Sequence, residues 1–300
     1  MIVHVHNLAD VAWDLRTQQR AMGNDAILVA HRRYSQHDPD LCLLLDGFVG
    51  INLELLLHGR LFKTADIVHI HGGIRRSQVA FGTLKNKSKA KWILHYHGSE
   101  TRMGYGLYHE DLADAKVVST PDLKRWHSDA TWIPNPIPQV FEPPVQAKTI
   151  GGERIKVGHF PTNRALKGTK KVIRALDPLV QEGLAKLLII EGRPHREIME
   201  TMRTVDVVVD QLNDLSIFSK VALEAMAIGI PAISSYDDGI FPSDCPVLRA
   251  NTEEELRERV LNVIDEGIDD KLRSSCAGYV KRYHSPHEVA ARLDEIYRQK

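Results

Sequence analysis

The chain has 300 residues, 43% of them hydrophobic and 26% charged, an ordinary composition for a globular protein with room for two domains. Its 39 Lys and Arg residues are balanced by 39 Asp and Glu residues, so it lacks the basic field that nucleic-acid binding usually needs. The three cysteines are far apart and form no CxxC pair, which disfavours a disulfide framework and a structural zinc site. Nucleic acid is therefore excluded as a first hypothesis for the partner.

The N-terminus starts directly as an apolar strand, with no basic segment and no long apolar core behind it. No apolar run elsewhere approaches the length of a membrane span. We therefore expect a cytoplasmic location, with at most peripheral contact with the inner face of a membrane.

In the first half of the chain, short β-rich apolar runs alternate with helical patterns, an order typical of βαβ units and a parallel sheet. A helix is predicted to reach about Met22, and two more lie near Ile51–Leu61 and Ser77–Leu84. The predicted strands are Ile2–His6, Ala26–Ala30, Ile67–His71, Trp92–His97 and Val117–Thr120.

A second series of the same kind follows a proline-rich stretch at 133–145, which suits an extended connection between domains. Its predicted strands are Lys156–Phe160, Leu187–Glu191, Val205–Asp210 and the apolar run after Gly229. Its predicted helices are one from Thr169, then Pro194–Met202, 221–228, Thr252–Glu266, Lys271–Tyr283 and Pro286–Gln299. The sequence thus predicts an α/β protein with Rossmann-like domains at 1–138 and 139–284 and a final helix at 285–300.

Glu224 is the outlier of an otherwise apolar helix in the run 221–235, where we place it on the first turn. Burying even a neutral polar group without a partner costs roughly 2–7 kcal/mol, and a carboxylate costs more. An N-terminal charge favoured by the helix dipole is one interpretation. The other is a carboxylate that holds ligand hydroxyls in a cleft.

Three histidine pairs stand at the carboxyl ends of predicted strands, the edge at which open parallel sheets bind ligands. They are His4/His6, His69/His71 and His95/His97. An HxH pair can ligate zinc, as in amidohydrolase-type enzymes, but such histidines are more often packed and hydrogen-bonded in a buried sheet. We expect His97 to be the exception that faces the cleft, because Gly98 lets the backbone turn close to a ligand.

The segment 156–169 runs from a strand into a loop that carries Arg164 and Lys167, and Gly168 and Thr169 open the next helix. Two cations beside a helix N-terminus predict an anion site, in which Arg can fork onto phosphate oxygens. The alternative is a pair of solvated loop charges. The glycine patterns of a dinucleotide-binding turn and of a P-loop are both absent, which disfavours NAD and ATP chemistry.

Four segments together resemble the retaining glycosyltransferases of GT-B fold, the large family that includes sucrose and phosphatidylinositol glycosyl transferases. They are His97-Gly-Ser-Glu, Ile133-Pro-Asn-Pro, the segment 159–169 and Leu223-Glu-Ala-Met-Ala-Ile-Gly-Ile-Pro, in the expected order. The resemblance implies two Rossmann-like domains that face each other across a cleft, with a C-terminal helix that crosses back to the first domain. It also implies transfer of a sugar from a nucleotide-diphosphate sugar to a hydroxyl acceptor on a glycan or lipid, with retention and without a cofactor or metal.

The resemblance also implies roles for particular residues. Arg164 and Lys167 would neutralise the leaving diphosphate, Glu224 would bind the ribose hydroxyls, and His97 would contact the donor sugar. Gly98 and Asn7 would lie on the donor side, and the loop Asn7–Ala12 would face the donor phosphate and the acceptor. Glu100 and Arg102 would reach the acceptor.

The sequence departs from the family at two places. Family members carry two glutamates with seven residues between them. Glu224 matches the later one, but Ser216 stands at the position of the earlier one, so either the Ser216 hydroxyl or Asp214 would hold the transferred sugar. The glycines that follow the earlier glutamate are missing as well, and Ser219 and Lys220 would take their place. These departures keep two alternatives open, a non-catalytic nucleotide-sugar-binding protein or scaffold, and a metal-dependent hydrolase that uses the HxH pairs.

Overall fold

The computed structural model describes residues 1–31, 37–72, 74–102, 110–138, 154–215 and 217–299, with the side chains of 74–76, 99 and 100 left aside. The chain divides into two compact units. Unit 1 consists of Met1–Pro136 and His284–Lys300, and unit 2 consists of Ile137–Tyr283. The boundaries drawn from the sequence lie at 138 and 284.

Unit 1 is built on a seven-stranded parallel sheet in the order β3-β2-β1-β4-β5-β6-β7. Its strands are β1 (Ile2–Val5), β2 (Ala26–His31), β3 (Leu41–Leu43), β4 (Ile67–His71), β5 (Lys91–Tyr96), β6 (Ala115–Val118) and β7 (Thr131–Trp132). Its helices are α1 (Val11–Ala21), α2 (Gly47–Leu57), α3 (Gly59–Thr64), α4 (Ile74–Lys85), α5 (Ser99–Arg102) and α11 (Pro286–Arg298).

Both faces of this sheet are buried, as a doubly covered parallel sheet requires. One face packs into a core with Phe62 of α3 and Phe81 of α4, and the other contacts Leu15 of α1 and Leu293 of α11. The Lys91 ammonium group donates a 2.6 Å hydrogen bond to the carbonyl oxygen of Ile296, which ties α11 to β5. The final helix therefore crosses back to the first domain, as predicted.

Unit 2 is built on a five-stranded parallel sheet in the order β12-β11-β10-β8-β9. Its strands are β8 (Ile155–His159), β9 (Ala185–Ile189), β10 (Val207–Gln211), β11 (Ala232–Ser234) and β12 (Leu248–Arg249). Its helices are α6 (Thr169–Gln181), α7 (His195–Met202), α8 (Lys220–Ala227), α9 (Glu253–Glu266) and α10 (Asp270–His284). Both units are α/β with parallel sheets, which confirms the predicted fold class.

Most predicted elements occur within a few residues of their predicted bounds, and the differences have simple causes. The strands β3, β7 and β12 were not predicted because each has only two or three residues at a sheet edge, too few for a periodic pattern. The predicted helix at 51–61 is two helices, α2 and α3, that meet at His58. None of the helices in the described ranges is long and apolar enough to cross a membrane.

Candidate functional site

The carboxyl edge of the unit 2 sheet carries a buried ionic network centred on Lys167. Its ammonium group donates to Asp210 Oδ1 at 2.8 Å, to Gln211 Oε1 at 3.0 Å and to Ser219 Oγ at 2.6 Å. Lys167 is only 8% exposed and Asp210 only 1%. Burial alone would raise the pKa of Asp210, but Lys167 and Ser219 outweigh it and hold that pKa below its usual value. Lys167 and Asp210 therefore form a charged pair.

Local structure explains why these groups meet. Asp210 lies at the end of β10, and Ser219 caps α8 while its backbone N–H and hydroxyl donate to the two carboxylate oxygens of Asp210. Gly168 has φ 66°, and a Cβ there would lie 2.0 Å from the carbonyl oxygen of Leu212. Only glycine fits this close approach, which brings the loop of Lys167 against Leu212, the residue that follows β10.

Arg164 lies on the same loop but has a different partner. Its guanidinium group forms a forked ion pair with Glu191, with Nε at 2.9 and 3.0 Å from the two carboxylate oxygens. About half of the Arg164 side chain is exposed, and the interaction with Glu191 raises its pKa. An exposed pair of this kind contributes little to stability, so an anionic ligand can replace Glu191 at low cost.

Glu224 is 5% exposed and lies on α8, which begins at Lys220. It is therefore one residue beyond the first turn, and our placement of it on that turn was wrong. A favourable interaction with the helix dipole is weak at that distance. Its partner is His195 at the start of α7, with Nε2 at 3.0 Å from Glu224 Oε1. One carboxylate oxygen of Glu224 is thus held by an imidazole.

Ser219 lies close to Lys167, whereas Ser216, the other predicted donor-binding serine, lies outside the described residues. The alternative to Ser216, Asp214, is fully exposed and has Lys171 at 4.0 Å. The structure thus brings Lys167 and Ser219 together, with Arg164 on the loop of Lys167 and Glu224 further along the helix that Ser219 caps.

In unit 1, His97 follows β5 and is half-buried, with its Nε2 at 3.2 Å from Nδ1 of His71. Gly98 has φ 98°, as expected for a sharp turn after a strand. The predicted acceptor residue Arg102 donates to the buried Asp122 at 2.7 and 3.1 Å. Arg102 therefore anchors the segment that follows β5 to Asp122. The side chain of Glu100, the other predicted acceptor residue, is not among those that the structure describes.

Asn7 is 2% exposed and organises the loop after β1. Its amide donates to Asp10 at 2.8 Å and its oxygen accepts from the Trp13 backbone at 3.1 Å. The loop has no glycine, yet His6, Ala9 and Asp10 all have φ between 51° and 66°. Each such residue costs about 1–3 kcal/mol, and strained backbone of this kind concentrates at functional sites.

The remaining strand-end histidines are packed inside the sheet, and all of them except His95 are hydrogen-bonded, largely as the more common interpretation predicted. Four of them are 0% exposed: His4, His69, His71 and His95. His6, by contrast, bonds to the hydroxyl of Ser77 at 3.0 Å. Burial lowers the pKa of His4 to about 4, and with help from neighbouring histidines it holds the pKa values of the other three well below 6.5. These rings are neutral at physiological pH.

Sequence reasoning missed the partners of the site residues: Asp210, Gln211, Glu191, His195 and Asp122. Asp210 could have been found, because it is an acidic residue at the carboxyl end of a predicted strand. The other four had no such signal, since their roles depend on segments 20 to 44 positions away in the chain or on a helix start.

No family model and no curated protein sequence matches this chain. Solved structures do match over nearly the whole length. A glycosyltransferase from Rickettsia africae ESF-5 superposes with a TM-score of 0.71 and 11% identity, over 99% of this chain and 97% of that one. An alpha-glucosyltransferase in complex with UDP and a mismatched 13-mer DNA gives 0.71 and 13%, over 100% and 99%. HepE from Anabaena, in complex with UDP-glucose, gives 0.68 and 12%, over 99% of each chain.

At such identities the likeness establishes the fold. The chain has the GT-B fold of glycosyltransferases, as the motifs predicted. Activity, donor and acceptor must be argued from the residues of this chain, because one fold serves many functions.

Proposed function

We propose that this protein is a retaining glycosyltransferase that moves a sugar from a nucleotide-diphosphate sugar to a hydroxyl acceptor on a glycan or lipid. The observation that carries the proposal is the buried Lys167 network beside the cap of α8, with Glu224 one turn further along that helix. This arrangement puts a cation, a hydroxyl and a carboxylate on adjoining segments of one sheet edge. A nucleoside diphosphate offers phosphate oxygens to the first two and ribose hydroxyls to the third.

The chemistry needs charge stabilisation more than proton transfer, because the leaving group is a nucleoside diphosphate. The three N–H donors of Lys167 are directed at three protein oxygens, so its ammonium group is oriented before a substrate arrives and a phosphate oxygen would replace one of these acceptors. Arg164 would exchange Glu191 for a phosphate oxygen and keep its forked geometry. In this mechanism both residues stabilise the departing diphosphate without a metal ion.

Glu224 would accept hydrogen bonds from the two ribose hydroxyls. His195 occupies one of its oxygens and orients the carboxylate, as a preorganised site requires. We further propose that His97 and Gly98 contact the donor sugar and that Asn7 lies on the donor side. Ser216 and Ser219 would contact the transferred sugar and the diphosphate, and Glu100 and Arg102 the acceptor.

The test measures binding and turnover together. The purified protein is titrated calorimetrically with UDP and GDP, and then incubated with a panel of UDP- and GDP-sugars while released nucleotide is assayed. Arg164→Ala should weaken nucleotide binding and abolish turnover. The matched control is Arg174→Ala, because Arg174 forms a similarly exposed pair with Glu253 in the same unit and should leave both unchanged. Equal behaviour of the two variants would contradict the proposed diphosphate site.

The same experiment addresses the non-catalytic alternative. A binding protein or scaffold would bind a nucleoside diphosphate through Arg164 and Lys167 but release no nucleotide from any donor.

The metal-dependent hydrolase is disfavoured by burial, since a hydrolytic metal keeps an open coordination position for water and substrate. His4, His69, His71 and His95 are fully buried.

We also propose peripheral contact with a membrane, in keeping with a lipid-linked acceptor. The segment 44–57 exposes seven large apolar side chains: Leu44, Leu45, Phe48, Val49, Leu53, Leu56 and Leu57. Two exposed cations, Arg60 and Lys63, follow on α3. Two more, Lys87 and Lys89, lie close to α3, because Ser88 between them donates a hydrogen bond to the carbonyl oxygen of Phe62. An apolar patch bordered by cations suits an anionic lipid surface.

Sedimentation with vesicles tests this contact. The protein should pellet with phosphatidylglycerol vesicles and much less with phosphatidylcholine vesicles, and Phe48→Ser with Val49→Ser should abolish pelleting. The matched control replaces two exposed apolar residues of unit 2, Ile173→Ser with Val180→Ser, and should pellet normally. Loss of pelleting in the control alone would place the contact elsewhere.

A further inference from the structure

Five histidines share one face of the unit 1 sheet. The strand register pairs His4 with His69 and His71 with His95, and paired residues of parallel strands lie on the same face. His97 follows two residues after His95 and is stacked on it, with ring centroids 4.2 Å apart. Helices α1 and α11 cover this face, through Gln19 and Tyr297 respectively.

Three of these imidazoles each have one ring nitrogen fixed by an outer partner. Nε2 of His4 lies 2.7 Å from the amide oxygen of Gln19. Nδ1 of His69 lies 2.6 Å from the Tyr297 hydroxyl, and Nδ1 of His71 lies 3.2 Å from Nε2 of His97. Partners of this kind orient metal-bound histidines by holding the nitrogen that does not bind the metal.

The other nitrogen of each ring points to the same place. Nδ1 of His4 and Nε2 of His71 are 3.0 Å apart and hydrogen-bonded to each other, so ligation by both requires the proton between them to move to Nδ1 of His71. Nε2 of His69 is buried and has no hydrogen-bond partner in the described part of the chain. One nitrogen from each of the three residues can be chosen so that all lie within 4.8 Å of one another. Zn–N bonds of about 2.0–2.1 Å bring such nitrogens to roughly 3.4 Å, which small ring rotations achieve.

We propose that His4, His69 and His71 bind one first-row transition-metal ion, such as Zn²⁺, inside unit 1. The ligands are fully buried, so the ion stabilises the sheet and does not take part in hydrolysis. The sugar transfer proposed above does not depend on this ion, and the inference rests on the histidine geometry alone.

Two further properties of the cluster suit an ion. Burial keeps the three imidazoles neutral, and a neutral ring is the form that ligates a metal. With Nε2 of His71 on the ion, its Nδ1 carries the proton and donates to Nε2 of His97. The ion would thereby make Nε2 of His97 the acceptor of this hydrogen bond.

The test uses the whole protein after dialysis against a chelator. Elemental analysis after reloading with Zn²⁺ should give one ion per chain, and titration with Co²⁺ should produce the visible absorption of a nitrogen-ligated site. His71→Phe and His4→Phe should lose this binding. Gln19→Leu, which keeps all three ligands, should weaken it by about 10- to 100-fold because an outer partner is lost.

Two controls keep the proposal falsifiable. His95→Phe changes an equally buried ring on the same face outside this ligand set and should keep one ion per chain. His58→Ala with His287→Ala removes exposed histidines and should also leave binding unchanged. The proposal is overturned if the stripped protein takes up no ion, if binding survives in His4→Phe, or if it is lost in either control. If circular dichroism shows that His71→Phe does not fold, the test uses the other two variants: the proposal requires weaker metal binding in Gln19→Leu and unchanged binding in His95→Phe.

Discussion

The two sheets of this protein use the same edge for opposite kinds of chemistry. In unit 1 the carboxyl ends of β1, β4 and β5 carry neutral imidazoles that bond to one another and to Gln19 and Tyr297. In unit 2 the corresponding edge carries the charged pair of Lys167 and Asp210, joined by the hydroxyl of Ser219.

The difference shows how burial and partners together decide charge. The four fully buried strand histidines, His4, His69, His71 and His95, have no carboxylate partner in the described part of the chain, so burial drives them to the neutral form. Asp210 is equally buried, but it faces an ammonium group, a hydroxyl and a backbone N–H, and these keep it ionised. An edge of neutral rings suits sugar hydroxyls or a metal ion, whereas a buried cation suits phosphate.

The largest expected effect is a difference in acid stability between the units. A histidine whose pKa is lower in the folded protein than in the unfolded chain makes its full contribution to stability above pH 6.5. That contribution is lost as the pH falls towards the pKa in the folded protein, which is about 4 for His4. Each such ring costs about 1.4 kcal/mol per pH unit in that window. Unit 1 has five rings of this kind, His4, His69, His71, His95 and His284, and unit 2 has His159.

The folded pKa of Asp210 is instead lowered below its usual 3.8, so its contribution is lost only below that pH. Metal-free unit 1 should therefore unfold first between pH 6 and 4. All four tryptophans belong to unit 1, so tryptophan fluorescence reports on that unit while circular dichroism reports on both. Coincident acid transitions in the two signals would contradict the contrast.

The second effect should appear in unit 2. Lys167→Met leaves Asp210 buried without its cation and should lower the free energy of unfolding by about 3–5 kcal/mol. Adding Asp210→Asn should restore part of the loss, because the orphaned charge is removed. Urea unfolding followed by circular dichroism measures both variants, and tryptophan fluorescence should change little if the damage is confined to unit 2. Equal stability of Lys167→Met and the wild type would show that the pair is not buried as described.

The third comparison uses one glycine from each unit. A Cβ on Gly168 would meet the backbone oxygen of Leu212, which cannot move, whereas a Cβ on Gly98 would meet the far end of the Arg102 side chain, which can. Both have positive φ, so both alanine variants carry about 1 kcal/mol of backbone strain. Gly168→Ala should cost clearly more than Gly98→Ala in urea unfolding. The reverse order would place the tighter constraint in unit 1.

The smallest effect concerns affinity. Glu224→Gln should weaken nucleoside diphosphate binding by about tenfold, since hydrogen bonds to a charged group contribute about 1.5–3 kcal/mol and the amide keeps part of them. Thermal unfolding should be nearly unchanged. Glu197→Gln, on the exposed surface of α7, is the control and should bind nucleotide normally in calorimetry. A full-affinity Glu224→Gln variant would remove this carboxylate from the ribose site.

Much of the architecture followed from local patterns. The strands at Ile67–His71 and the helix from Thr169 have the predicted bounds or starts, because apolar runs and helix caps are encoded within a few residues. The network around Asp210 could not be predicted in this way. It joins a loop residue, a strand end and a helix cap that are 9 to 52 positions apart, and only chain folding brings them together.

The sequence by itself determined the α/β class, the GT-B resemblance and the identity of the unusual groups: the HxH pairs, the two cations of the 156–169 loop and Glu224. Only the tertiary structure decided their states. In the folded protein Lys167 pairs with the buried carboxylate of Asp210 and Arg164 with the exposed carboxylate of Glu191. Glu224 contacts the imidazole of His195. The tertiary structure also gathered histidines from three strands into one buried cluster. Residue types and spacing are local, whereas charge, burial and pairing depend on neighbours that are distant in the chain.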